Sequence, residues 1–171
     1  MKQTLLLIIL LFKTLVVNSQ ELKQGTYTIN GLSFKISHST FARGGILIAP
    51  TIAPKISPGP EEIEGFSSGS IAASVKFDKP LLDLTILSTQ LSQGRVDQIK
   101  ANKEVLRVSV TTDVSGKVLS SSLVVPKNSL ITKMEAVKIL SYLNSCSYRL
   151  TSFRGLHKNL GYIIKDEIFR F

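Results

Sequence analysis

The last 68 residues, 104–171, follow an order that few architectures accommodate: strand, tight turn, strand, amphipathic helix, basic loop and final strand. Leu106, Val108 and Val110 alternate with Arg107, Ser109 and Thr111, the period of two that buries one face of a strand. Asp113-Val114-Ser115-Gly116 then supplies a turn, because aspartate bonds its own following backbone and glycine accepts the left-handed conformation. The return strand runs over 117–125 and ends at Pro126. Asn128 or Ser129 is placed to cap the next helix, with Thr132 and Glu135 at capping-box spacing just inside it. Ala136, Ile139, Leu140 and Leu143 make its apolar stripe, widened by Met134 and Val137, while Lys133, Glu135, Lys138 and Ser141 face away. A stripe of this kind needs a sheet to cover. The pattern therefore predicts an α+β fold: an antiparallel sheet with one principal amphipathic helix packed on it, preceded by a β-rich N-terminal segment.

Earlier in the chain, Thr26-Tyr27-Thr28-Ile29 and Leu32-Ser33-Phe34-Lys35-Ile36 flank Asn30-Gly31, the two-residue signal of a hairpin turn with positive φ at both central positions. Ile46-Leu47-Ile48-Ala49 reads as a further short strand after Arg43-Gly44-Gly45, whose glycines lack the lysine and hydroxyl residue of a phosphate loop. Pro50, Pro54, Pro58 and Pro60 exclude a regular element and mark a linker, extended by the serines and glycine of 67–70. Glu61, Glu62 and Glu64 lack the spacing of a calcium loop, and His38 has no second ligand at metal-site spacing. Residues 71–77 and 82–87 have strand-like composition around an Asp78-Lys79-Pro80 turn, and a helical turn is expected over 95–101 with Val96, Ile99 and Val105 inward. The expected organisation is a leader over 1–19, a hairpin segment over 20–49, a Pro/Gly/Ser-rich linker or loop over 50–70 and an α+β domain over 71–171.

The leader assignment rests on Lys2, the apolar run of 5–12, and small residues at Val17-Asn18-Ser19, the three parts of a secretory signal peptide. An uncleaved anchor is the competing reading, but Lys13 interrupts a run already shorter than the roughly 20 residues of a membrane span. Cleavage after Ser19 removes two lysines and no acids, leaving 19 basic against 12 acidic residues and a net charge of +7. In an exported chain such a surplus points away from nucleic acid and towards an anionic cell-wall polymer, a lipid surface or an acidic protein face, unless it serves solubility alone. Cys146 is the only cysteine, so no intramolecular disulfide forms, and its place near a helix end predicts a buried thiol.

After the helix come Tyr148-Arg149-Leu150, the basic stretch Phe153-Arg154-Gly155-Leu156-His157-Lys158-Asn159 and a last strand over 162–171. Together with Val108-Ser109-Val110-Thr111-Thr112-Asp113-Val114-Ser115-Gly116-Lys117-Val118, Met134-Glu135-Ala136-Val137-Lys138-Ile139-Leu140 and Ile168-Phe169-Arg170-Phe171, this order resembles the C-terminal domain of TonB-type energy transducers. The chain departs from that pattern in having Leu150 where the family carries a proline after its post-helix aromatic, and in lacking a tyrosine-proline pair before the first hairpin. Its proline-spaced stretch, at about 3.1 Å per residue, is too short to cross a periplasm. The resemblance thus implies a periplasmic protein-binding module of a Gram-negative bacterium that engages a partner protein, such as an outer-membrane receptor, by strand addition. The expected contact residues are Tyr162, Ile164, Asp166, Ile168 and Arg170 on the final strand, with Arg149, Arg154 and Lys158 as an auxiliary anionic contact. Against this stands a strand paired within its own sheet and blunted by Lys165, Asp166 and Glu167.

No cofactor, metal ligand set or nucleophile motif is apparent, so a non-catalytic protein is expected, not integral to the membrane after cleavage. A Ser, His and Asp brought together in one pocket would reopen the enzymatic reading. The alternative is a secreted small-ligand or lipid-binding β-rich protein with a cavity lined by residues such as Phe34, Ile36 and Phe77.

Overall fold

A computed structural model describes residues 22–39, 44–57 and 59–171. The expected leader lies outside the described residues, as do Arg43 and Pro58. The elements in chain order are β1 (Gly25–Ile29), β2 (Leu32–His38), β3 (Ile46–Pro50), β4 (Glu62–Ile63), β5 (Phe66–Ser67), α1 (Ser68–Ser74), β6 (Lys76–Phe77), α2 (Leu84–Gln90), α3 (Gln93–Ala101), β7 (Val105–Thr112), β8 (Val118–Val125), α4 (Lys133–Ser145), β9 (Leu150–Thr151), a 3-10 segment (Phe153–Asn159) and β10 (Ile163–Arg170). The fold is α+β. A six-stranded antiparallel sheet runs in the order β1-β2-β3-β8-β7-β10, and two small ladders join β4 to β5 and β6 to β9.

Local chemistry sets both main hairpins. Asn30 and Gly31 take φ of 51° and 78° between Ile29 and Leu32, as the two-residue turn requires. In the β7–β8 turn, Asp113 Oδ1 accepts the backbone N–H groups of Ser115 and Lys117 at 2.9 and 3.1 Å. Gly116 there has φ of 89°, and its carbonyl accepts the Tyr148 N–H at 2.9 Å. A Cβ at that position would stand 1.8 Å from the Tyr148 carbonyl oxygen, so no other residue fits without moving the segment after α4.

The strand alternation sorts the sheet into two faces. Phe34, Ile36, Ile48, Leu106, Val108, Val110, Leu123 and Ile163 point into one core with Leu87, Ile99, Ile139 and Leu143 of the helices. The opposite face is hydroxyl-rich and, among the described residues, left bare, with register placing Ser109 across from Ser122 and Thr111 across from Ser120. β3 joins β8 through Ile46, Leu47 and Ile48, so the N-terminal hairpin and the C-terminal strands share one sheet.

Several expectations change in the three-dimensional structure. Residues 71–77 and 82–87 are mainly helical: Ser67 caps α1 by accepting the Ser70 N–H, and Asp83 caps α2 by accepting the Ile86 N–H at 2.7 Å. Short apolar runs of this length fit either period, and the capping side chains decide them. α3 buries Val96 and Ile99 as expected, but Val105 opens β7 on the bare face. The cap of α4 is Thr132 itself, in a full capping box with Glu135. Ser129 instead donates to the buried Glu104, and Met134 points to solvent. Cys146 is half-buried at the end of α4. Among the described residues, no helix is long and apolar enough to cross a membrane.

Candidate partner-binding edge

β10 borders the sheet. Along all eight residues it pairs with β7, from Ile163 opposite Thr112 to Arg170 opposite Val105, and among the described residues no strand lies on its other side. Such an edge presents unpaired backbone N–H and C=O groups. Alternation places Ile164, Asp166, Ile168 and Arg170 on the bare face, where Ile164 and Ile168 are 53% and 52% exposed. Asp166 is committed to Arg107 at 2.8 Å. Burial raises the Asp166 pKa most, but hydrogen bonds from Ser109 and Arg107 outweigh it and hold the carboxyl below 3.8, so it is ionised at neutral pH.

On the helical side, Lys165 and Glu167 face a loop that passes close to the strand. Glu167 Oε2 accepts the Leu81 N–H at 2.7 Å, and the Lys165 ammonium lies 5.9 Å from the Phe77 ring centre. Two recesses flank the strand. The first, about 350 Å³, has Tyr162 and Ile164 on one side and Ser68, Gly69 and Ala72 of α1 on the other. The second, about 720 Å³, sets Lys165 and Glu167 against the end of α1 and residues 75–80. Small side chains keep the α1 wall low. That wall is fixed by hydrogen bonds from Ser68 Oγ to the Pro60 carbonyl and from the Ser68 N–H to the Glu61 carbonyl. Gly59 abuts the start of β10 so tightly that a Cβ on it would lie 2.6 Å from the Gly161 nitrogen.

The expected residues divide into two groups. Ile164, Asp166, Ile168 and Arg170 lie on the edge strand and Tyr162 immediately precedes it, whereas Arg149, Arg154 and Lys158, all exposed, line neither recess. Arg149 is held through its backbone, which donates to Asp78, and the Arg154 guanidinium lies 5.1 Å from the Phe153 ring. His157, in the expected basic loop, is buried instead. Its backbone N–H donates to Ser152 Oγ at 3.1 Å, and the same hydroxyl lies 2.8 Å from Nδ1. Burial first, and the Lys158 charge second, lower its pKa from 6.5. Among the described residues, no group of three or more His, Cys, Asp and Glu side chains converges as a metal site would require. Sequence reasoning missed α1 and the lysines Lys76 and Lys79, which reach the strand only through the folding of 59–80 beside it.

Of the residues proposed to line an internal cavity, Phe34 and Ile36 pack in the core and Phe77 lies against Tyr148 with ring centres 5.1 Å apart. A different cleft, about 540 Å³, opens near Val105, Val124 and Ile168, with Arg107 and Lys127 also lining it.

No protein-family model matches this chain, and no curated protein matches it. Its structure is similar to that of a DUF5043 family protein from Bacteroides uniformis ATCC 8492, with a TM-score of 0.63 at 14% identity over 89% of this chain and 90% of that one. At that identity the likeness shows a shared fold.

Proposed function

We propose that this chain is an exported, non-catalytic, periplasmic binding module, resembling a TonB C-terminal domain, that holds an extended segment of a partner protein as an added strand on β10. One observation carries the reading: the outer edge of an eight-residue strand is unpaired among the described residues and opens beside two recesses. Main-chain hydrogen bonds there supply affinity, and the recesses with Ile164 and Ile168 supply choice of side chain. The order of hairpin, helix, Tyr148 and edge strand also follows the resemblance. An outer-membrane receptor is the partner the resemblance favours, with anionic cell-wall polymer served by the basic surplus. The test places a photo-crosslinking residue at Ile164 and Ile168 in intact cells and identifies the captured segment. That segment, synthesised as a peptide, is expected to slow amide exchange of residues 163–170 and leave β1 unchanged. Unchanged exchange along β10 would sink the reading.

The cleft at Val105, Val124 and Ile168 favours a second reading, a small ligand with an apolar body and an anionic end. A fluorescent fatty acid displaced in wild type and not in Val124→Asp would support it. Equal displacement in both proteins would remove it.

A further inference from the structure

A strand added to β10 must also satisfy the side chains that face it, and these are not electrically neutral. In an antiparallel pair, directly opposite residues point to the same face with Cβ atoms about 5 Å apart. The residue opposite Lys165 therefore points into the 720 Å³ recess on the helical side, where, among the described residues, Lys76, Lys79 and Lys165 stand against the one carboxylate of Glu167. That carboxylate is already occupied by the Leu81 N–H. Asp78, the next acid in the segment, accepts the Arg149 N–H. Lys79 rests over the Tyr148 ring at 5.2 Å and Lys165 over Phe77 at 5.9 Å, contacts that position an ammonium without neutralising it. On the bare face, the residues opposite Ile164 and Ile168 meet exposed apolar surface.

We infer that the partner segment is acidic at the residue facing Lys165 and apolar at the two facing Ile164 and Ile168. This inference rests on strand addition at β10 and names its ligand chemistry. In an antiparallel strand read from Ile168 towards Ile164, the signature is apolar, any, any, acidic, apolar. An opposite charge across the ladder, reinforced by two further lysines in the same recess, gives a discrimination of roughly tenfold between an acidic and a basic residue at that place.

The test uses two labelled peptides, Thr-Val-Thr-Thr-Glu-Val-Thr and its counterpart with Lys in place of Glu, titrated against the full chain by fluorescence anisotropy. The glutamate peptide is expected to bind roughly tenfold tighter at low salt, with the advantage shrinking as salt screens the recess. The double variant Lys76→Glu, Lys79→Glu, both exposed positions that put folding at little risk, is expected to reverse the preference. Equal binding of both peptides to both proteins would overturn the acidic signature and leave strand addition standing. Absence of binding by either peptide, with β10 amide exchange unaltered, would overturn the signature and strand addition together.

Discussion

Glu104 is 2% exposed, yet every oxygen of its carboxylate has work: Oε1 accepts the Leu130 N–H and Asn102 Nδ2, and Oε2 accepts the Ser129 hydroxyl. It ties the end of α3 to the loop that enters α4, beside the Arg95–Glu135 ion pair of 2.7 Å. Glu104→Ala leaves three part-buried donors without their acceptor, at about 1 kcal/mol each, so a loss of about 2–3 kcal/mol in urea unfolding is expected. Titration adds a second residue-level prediction. His157, whose folded pKa lies below 6.5, takes up its proton at lower pH than the unfolded chain does, so stability falls as pH drops through 6.5 and levels off once pH is below the folded value. For Glu135, burial pushes the pKa up most, but hydrogen bonds from Arg95 and Thr132 outweigh it and leave the folded value under 4.5. Its contribution is present above pH 4.5 and is lost as pH falls through that lower folded value. The urea midpoint should therefore decline in two stages on acidification, and His157→Gln should erase the first while sparing the second.

Among the elements, the β7–β8 hairpin depends on the close fit between its turn and the segment after α4. Gly116→Ala combines a left-handed backbone with a Cβ 1.8 Å from the Tyr148 carbonyl oxygen, and a destabilisation of about 3 kcal/mol is expected by thermal unfolding. A cost below about 1 kcal/mol would show that the turn adapts. Both hairpins and α4 were legible in the sequence because their signals are local: Asn30-Gly31, Asp113 with Gly116, and the stripe from Ala136 to Leu143. α1 and α2 were not, since the short apolar runs of 71–77 and 82–87 fit a strand equally well until the N–H groups of Ser70 and Ile86 donate to the capping side chains of Ser67 and Asp83. The charged recess was hidden for a different reason. Leu81 and Glu167, 86 residues apart, meet only once the 75–80 segment has come to lie against the last strand, and no period or motif announces that.

At the scale of the molecule, the N-terminal hairpin and the C-terminal strands are joined by a three-residue register, Ile46 to Val125, Leu47 to Val124 and Ile48 to Leu123, and by one continuous core. A single core favours one cooperative transition. Ile48 is fully buried at that seam, so Ile48→Ala should cost about 2–5 kcal/mol and weaken amide protection in β2 and β7 together. Protection lost only in β1–β3 would reveal two independent units. The resemblance had implied an edge at the last strand, and the sheet order supplies the physical reason: β3 docks on β8 and leaves β7 to receive β10 at the end.

The hydroxyl-studded side of the sheet has a consequence for crowded solutions. Ser109, Thr111, Ser120 and Ser122 present hydroxyls that must be desolvated if two slabs press together, so oily plate-on-plate stacking is discouraged relative to lateral growth along the rim.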